Sequence, residues 1–353
     1  MLEGIGNVLL WSLIVAVAAT GLYLGTMTVT DYRPPAVENL KVLDNTSILA
    51  SNTLTILDWN IGYCGLGSEA DFFMDGGTHS LAVSKDVVLN HLNNVIKFCK
   101  LQNPDIINIQ EIDVNARRTY HINELKTVNA TFDGYSKTFA YNYKSLWVPV
   151  PLSDPMGDVN AGLMTLSKYK VQSSYRYQYP GNYAWPTNTV QLDRCFIVQY
   201  LPIKDSNKQW VIINSHNSAY DKGGVLRKKQ LEALKKFILA EYNKGNYVVV
   251  GADWNHVLPG IDDTKFKYTE QIPDWRVVFP VDWTPKGWKW GVEKTIPTCR
   301  SDRTPYKKGR NFVTTIDGFL VSPNVKIDYV KGFDLGFKDS DHNPVEIKVT
   351  AIK

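Results

Sequence analysis

The sequence predicts an α/β or α+β fold in which mixed β-sheets pack face to face with helices outside. Three observations predict it. Short apolar runs of strand character recur, among them Leu54–Leu57, Ile106–Ile109 and Tyr247–Val250. Two segments with apolar residues at helical spacing, Asp86–Gln102 and Val225–Tyr242, each lead into one of these runs. The sequence between them is strand-like and rich in turns, at Ala161–Leu166, Cys195–Leu201 and Trp210–Asn214.

Residues 1–30 form the first element. No charged residue lies between Gly4 and Thr30, and Val8 to Ala19 is apolar all round. About 20 such residues cross a bilayer core, so the expectation is a retained single-pass anchor with the catalytic domain on the extracytoplasmic side. A cleaved secretory signal is the rival reading, through the small-residue pattern Ala16-Val17-Ala18, and a buried soluble helix is the third. Continuation of the apolar stretch through Leu22-Tyr23-Leu24 favours the anchor. Residues 31–51, with Pro34-Pro35 and no clear period, read as a linker, and residues 52–353 as one catalytic domain. In that domain Pro104 stops the first helix, and the next strand follows at once.

Composition narrows the function classes. The chain has 353 residues, 44% of them apolar, enough for a sizeable core. A formal charge of only +4 lacks the footprint of a dedicated nucleic-acid binder, though it leaves room for a nuclease with a local basic groove. Cys64, Cys99, Cys195 and Cys299 show no paired spacing, which argues against a zinc site. No obligate protein partner is evident, and the basic run Arg227-Lys228-Lys229 with Lys235-Lys236 reads as the solvated face of a helix.

The informative polar residues stand at the ends of apolar runs. Asp58-Trp59-Asn60 follows Leu54–Leu57, Gln110-Glu111 follows Ile106–Ile109, and Asp253-Trp254-Asn255 follows the run at Tyr247. Ser340-Asp341-His342 follows the stretch from Val330 to Phe337, read here as a strand. Unpaired charge is costly to bury, so such groups gathered at one sheet edge imply a site rather than core filler. A hard cation such as Mg²⁺ takes oxygen ligands and needs few carboxylates, which suits Glu111 and Asp341, with Asn60 to orient the metal or a phosphate oxygen. Asp253 and Asn255 are two apart, so in an extended segment both face one way. His216, after Val211–Asn214, and His342 are candidate bases or electrophiles, and Asp317 is a carboxylate able to partner a histidine. Each alone has a plain structural reading: a salt bridge, a turn former or a satisfied core histidine.

Together, Trp59-Asn60, Gln110-Glu111, Ser215-His216, Gly251 to Asn255, Ile316 to Phe319 and Ser340 to Pro344 resemble the endonuclease/exonuclease/phosphatase superfamily, in family order from Leu54 to Val349. The resemblance implies a four-layer sandwich of two mixed β-sheets flanked by helices, and Mg²⁺-dependent phosphoester hydrolysis, with Mn²⁺ as a substitute. It assigns Glu111 as the principal metal ligand, with Asn60 and Asp341 near it. Asp317 and His342 become a carboxylate–imidazole pair, and Asp253 and Asn255 orient the nucleophile and hold a phosphate oxygen. His216 and Asn160 would stabilise the phosphate, and Arg300, from the basic and aromatic insert rather than from the resemblance, is a candidate on the substrate side. Gly62 falls where repair enzymes of the superfamily carry a further acidic residue, which speaks against a second metal. Whether Asp253 or His342 activates water is left open.

The aromatic insert from Asp274 to Arg300, with Trp275, Trp283, Trp288 and Trp290, reads in two ways: a loop packed on itself, or a lid or membrane-interface patch. The substrate is thus a phosphate ester, lipid or nucleic acid. Three functions stand at this point. They are a membrane-anchored phosphodiesterase or phosphatase, a deoxyribonuclease I-like surface nuclease, and a catalytically silent binding module, the last opposed by the complete polar set.

Overall fold

The computed structural model describes residues 2–44 and 47–352. Its elements in chain order are α1 (Leu2–Val29), β1 (Val37–Asn39), β2 (Thr53–Asn60), α2 (Lys85–Gln102), β3 (Ile106–Ala116), α3 (Glu124–Thr131), β4 (Ser136–Val148) and β5 (Gly157–Ser167). They continue with β6 (Ser173–Gln178), β7 (Cys195–Pro202), β8 (Gln209–His216), α4 (Val225–Asn243), β9 (Tyr247–Asp253) and β10 (Lys289–Gly291). The last are β11 (Cys299–Arg300), β12 (Val313–Thr314), β13 (Asp317–Val321), β14 (Val325–Gly332) and β15 (Val345–Ala351).

Two mixed sheets carry the fold, one in the order β1-β6-β7-β8-β9-β13-β10 and the other β14-β15-β2-β3-β5-β4. Among the strands of the described residues, β2/β3 and β8/β9 are the parallel pairs, and each is bridged by one long helix, α2 or α4. Ser84 caps α2 by accepting a hydrogen bond from the Val87 N–H, and Asn103 ends it in a left-handed conformation. Leu54, Ile56, Ile106, Ile212, Val249, Phe319 and Ile347 fill the space between the sheets. A second core packs α2 and α3 on the six-stranded sheet, through Leu92, Val95, Val128 and Ile109. A third packs α4 on the other sheet, through Leu231, Leu234, Ile238 and Val250. This is the four-layer sandwich.

Three expectations are corrected, and one open reading is decided. Residues 31–51 are not a free linker: Val37–Asn39 adds an edge strand to β6, and Leu40 and Leu49 are buried. Three residues of strand among polar neighbours carry no readable period. The stretch from Val330 to Phe337 is not the strand leading into Ser340-Asp341-His342, because β14 ends at Gly332 and the motif instead precedes β15. It still reaches the same edge, since β15 runs antiparallel to β2 with Val345 opposite Asp58. Arg227 is not on a solvated face: its guanidinium is buried against the Asp221 and Asn255 carbonyls. Of the two readings of the insert, the loop packed on itself holds for Trp283, Trp288 and Trp290, which pack with Trp254 and Phe279 over the seven-stranded sheet, whereas Trp275 lies half-buried against Phe312 at the pocket. Trp is large and apolar enough that such a cluster closes on itself before it faces water.

Helix α1 is a different kind of element. Gly4–Val29 is long and apolar enough to span a membrane, or to serve as a signal sequence, and its side chains from Gly4 to Leu22 are exposed. Packing begins only near its end, where Tyr23, Leu24 and Thr28 are half-buried and Met27 is buried.

Candidate active site

Antiparallel pairing brings chain entries and exits to one edge. β2 ends there with Asn60, and its parallel pairing with β3 stops at Gln110, just before Glu111 inside β3, while β8 and β9 end there with His216 and Asp253. β13 begins there with Asp317 opposite Asp253, and β15 just after His342. Glu111 departs from the ladder: its φ of 55° and the register shift between Ile109 and Ile112 turn its carboxylate into the pocket. Beneath the edge, Gln110 Nε2 donates to Asp58 Oδ1 (3.1 Å) and to Asn214 Oδ1 (2.8 Å). Asp58 is therefore a core residue, and burial raises its pKa well above the carboxylate range, so it is neutral. Gly251 permits this contact between sheets, because a Cβ there would meet Asp58 Oδ1 at 2.7 Å.

The floor of the pocket is a compact polar cluster. Asn60 Nδ2 donates to Glu111 Oε1 (3.2 Å) and to Asp253 Oδ2 (3.1 Å), and its carbonyl oxygen accepts from the Gly62 N–H (3.0 Å). His342 Nδ1 pairs with Asp317 Oδ2 at 2.8 Å, leaving Nε2 facing Asp253 Oδ2 (3.9 Å) and Asp341 Oδ2 (3.7 Å). Trp59 Nε1 donates to the His342 carbonyl, and the Ser340 hydroxyl ties that loop to the Asn60 carbonyl. His216 Nε2 lies 3.4 Å from Asp253 Oδ2 and 3.7 Å from Glu111 Oε1. One ligand atom each from Asp253, Asp317 and His342 lie within 4.8 Å of one another.

Asp253 and Asn255 converge, though not by strand alternation. β9 ends at Asp253, and Asn255 has a φ of 50°, so a turn rather than an extended run brings them together. The Asn255 N–H donates to Asp253 Oδ1 (2.9 Å) and its side-chain amide to the Asn217 carbonyl.

Burial and charge set the protonation states. Burial, with the Asp317 carboxylate adding to it, pushes Asp253 up to about 7 against the opposing pull of His342. Burial opposes charge on His342, but Asp317, Cys299 and Asp341 outweigh it and hold the imidazolium well above the ordinary histidine value. Burial drives His216 the other way, with Arg194 and His342 reinforcing it, so that ring is neutral. Burial raises the Glu111 carboxyl, and Asp341 adds to this while Arg118 opposes it. A divalent cation would relieve that repulsion, and the carboxylates of Glu111 and Asp341 are hard oxygen donors suited to one, whereas the Asn60 side chain turns its Nδ2 toward Glu111 and its Oδ1 to the Gly62 N–H.

Two sequence-expected residues lie elsewhere. Ala161 lines the pocket, so strand alternation turns Asn160 to the opposite face of β5, in a surface groove beside Asp31 and Lys144, where its amide donates to the Asn115 carbonyl. Arg300 borders the pocket, but its guanidinium is buried on the carbonyls of Leu66, Gly67 and Ala70 and on Asp302, so it clamps the glycine-rich loop rather than substrate. Gly62 has a φ of 49°, and a Cβ there would stand 2.5 Å from Asp341 Oδ1, so an acidic side chain does not fit at this position.

Several lining residues escaped the sequence, three of them donors that face the pocket's polar floor or wall. Arg194 immediately precedes β7, and its guanidinium has no hydrogen-bond or ion-pair partner among the described residues. Arg118 stacks over the Tyr63 ring at 3.7 Å and pairs with Asp113 at 2.8 Å. Asn142 is buried with an unpartnered Nδ2. Arg194 was detectable in principle, since a charged residue at the start of an antiparallel strand reaches the same edge as one at the end of its neighbour.

Residues 59–342 match the profile of the Endonuclease/Exonuclease/phosphatase family. The chain belongs to that family. Its members are phosphoester hydrolases that work with a divalent metal. No curated protein matches the chain by sequence. Among solved structures, it resembles an endonuclease/exonuclease/phosphatase from Beutenbergia cavernae DSM 12333, with TM-score 0.55 and 14% identity over 85% of this chain and 72% of that one. It also resembles the human Nocturnin catalytic domain with bound sulfate, with TM-score 0.52 and 17% identity over 88% and 97%. A third is D. rerio TDP2 complexed with single-strand DNA product, with TM-score 0.53 and 14% identity over 85% and 99%. At these identities the likeness establishes the fold shared by family members of different substrates.

Proposed function

We propose that this protein is a Mg²⁺-dependent phosphoesterase that acts at a membrane surface. The observation that carries the reading is the floor cluster, where His342–Asp317, Asp253 and Asn60–Glu111 meet at one sheet edge. Glu111 and Asp341, with the Asn60 amide beside them, would hold the cation, which when bound neutralises phosphate oxygen charge. Mn²⁺ suits the same oxygen donors.

The protein groups supply the proton steps. Water attacks phosphorus and gives its proton to Asp253, whose pKa near 7 suits a base at neutral pH. The ester P–O bond breaks as the oxygen of water bonds to phosphorus, and the leaving oxygen takes the Nε2 proton of His342. Asp253, 3.9 Å away, returns the proton to His342, so the site ends as it began. Asp317 holds His342 in this role, and Asn142 and Arg194 present donors to the phosphate.

Val148, Val150, Met156, Val190 and Leu192 give the walls above this floor an apolar side suited to the tail of a small or amphiphilic ester, while Arg194 and the rings of Phe72, Tyr183 and Trp275 beside them keep the nuclease as the second reading. The test is Mg²⁺-dependent hydrolysis of bis(p-nitrophenyl) phosphate, phospholipid vesicles and plasmid DNA side by side, with His342→Ala as control. Nicking of DNA without turnover of vesicles would replace this reading with the nuclease. Turnover of all three that survives His342→Ala would remove the site assignment.

A further inference from the structure

The apolar wall of the pocket is continuous with the surface around the end of α1. Tyr23 Oη donates to the Trp147 carbonyl at 3.0 Å, and Trp185 Nε1 donates to Thr28 Oγ1 at 3.0 Å. The residues following these two tryptophans turn inward: Val148 and Val150 after Trp147, and Val190 and Leu192 beyond Trp185, all line the pocket that holds Glu111 and His342. Two segments thus each touch the helix on one side and the reaction cavity on the other. The surface there opens Leu146, Trp147, Val150, Leu152 and Trp185 to solvent, Leu152 by 87% and Trp185 by 60%, beside the charged Asp31, Arg33, Lys144 and Asp154. A soluble surface seldom clusters such residues without a partner.

The length of α1 sets the level at which this collar sits. Side chains from Gly4 to Leu22 touch nothing in the domain, and contact begins at Tyr23. Nineteen rises of about 1.5 Å carry the chain roughly 29 Å from Gly4 to Tyr23, the thickness of a bilayer's hydrocarbon core. With that stretch in the membrane, Tyr23, Trp147 and Trp185 fall at the headgroup boundary, where tyrosine and tryptophan are enriched.

We infer that the collar around the end of α1 docks into the bilayer interface and opens the catalytic pocket toward it, so that the substrate is an amphiphilic phosphoester taken from that membrane. The charged floor receives the phosphate, and Val148, Val150, Met156 and Leu192 receive the first part of the apolar tail. The docking half stands on geometry alone, whereas the substrate half rests on the phosphoesterase reading above.

The experiment uses the full chain in phosphatidylcholine/phosphatidylglycerol nanodiscs, with a nitroxide on Leu152→Cys and, as control, on Leu101→Cys. Leu101 is 77% exposed at the end of α2, at the sheet edge opposite the site. The four native cysteines are buried, which directs the label to the new thiol. The expected result is strong relaxation of the Leu152 label by oxygen and weak relaxation by a water-soluble nickel complex, with the reverse at Leu101. A Leu152 label as open to nickel as the control overturns the docking, and one shielded from both reagents overturns it in favour of a second copy of the chain. On the same discs, release of water-soluble phosphate ester from lipid supports the substrate class. Hydrolysis of added bis(p-nitrophenyl) phosphate without lipid turnover overturns it. If neither ester is cleaved, the phosphoesterase reading fails, and the label alone decides the docking.

Discussion

At the floor of the pocket, Asn60, Glu111, Asp253 and His342 are held by hydrogen bonds tied to strand ends in both sheets, whereas at its mouth Val150, Leu152 and Trp185 lie on turns that mostly face outward. The floor concentrates charge where water is scarce, so each group's state depends on its neighbours. The mouth concentrates apolar surface where water is plentiful, so it depends on what covers it. The difference teaches that chemistry and access come from separate parts of the fold. The floor is placed by register, which a strand cannot change by one residue without turning its side chains over. The mouth is placed by where α1 meets the domain.

Changes at the floor test this contrast most severely. His342→Ala and Glu111→Gln should each lower the kcat of phosphoester hydrolysis by about 10²- to 10⁴-fold. Chelation of the divalent cation should do the same reversibly, and kinetics with bis(p-nitrophenyl) phosphate read all three. Retention of full activity by Glu111→Gln would sever the metal assignment from the floor.

The next effect separates the two kinds of tryptophan. Trp283→Ala, in the packed insert, should destabilise the fold by about 3–5 kcal/mol, while Trp147→Ala at the mouth should stay within about 0.5 kcal/mol in denaturant unfolding. Equal losses would mean that the mouth is core, and the comparison would collapse.

Proton linkage at Asp253 is a smaller effect with a definite sign. Its folded pKa of about 7 lies above the ordinary 3.8, so the folded protein binds more protons than the unfolded chain in that window. The contribution to stability is complete below about pH 4 and is lost as pH rises through 7. In metal-free protein, Asp253→Asn should therefore flatten the fall in Tm between about pH 4 and 7. An unchanged slope would place the burden on another group.

The smallest expected change is at the boundary between floor and mouth. Arg194→Ala should weaken kcat/KM by about 10- to 100-fold for a phosphodiester, roughly the value of one charge-assisted phosphate contact, with less effect on stability. An Arg194→Lys variant should recover part of the loss, and a merely structural role would not show that rescue.

Much of the floor was legible in the sequence because polar residues directly after apolar strands need an external reason to be there. Asn60, Glu111, His216, Asp253 and His342 all followed from that rule and from the family resemblance, and the structure brings them together. The rule failed where chain direction reversed. Ser340-Asp341-His342 was given a preceding strand, but the strand comes after it, and Arg194 was overlooked because it opens a strand rather than closing one. Asn160 failed for another reason: alternation along β5 cannot be phased until its partner strands are known, and the phase turns Ala161 rather than Asn160 inward. Arg300 was placed correctly and misread, because sequence does not show which carbonyls will claim a guanidinium.

By itself the sequence determined the apolar strands and amphipathic helices, the apolar N-terminal helix and the chemical types of the reacting groups. These are local properties of composition and period. Only the tertiary structure decided that residues from 60 to 342 share one edge, that Trp283, Trp288 and Trp290 face inward, and that Trp147 and Trp185 meet the end of α1. Those outcomes depend on pairing direction and register between segments distant in the chain, which arise when the sheets pack and have no signature in any single segment.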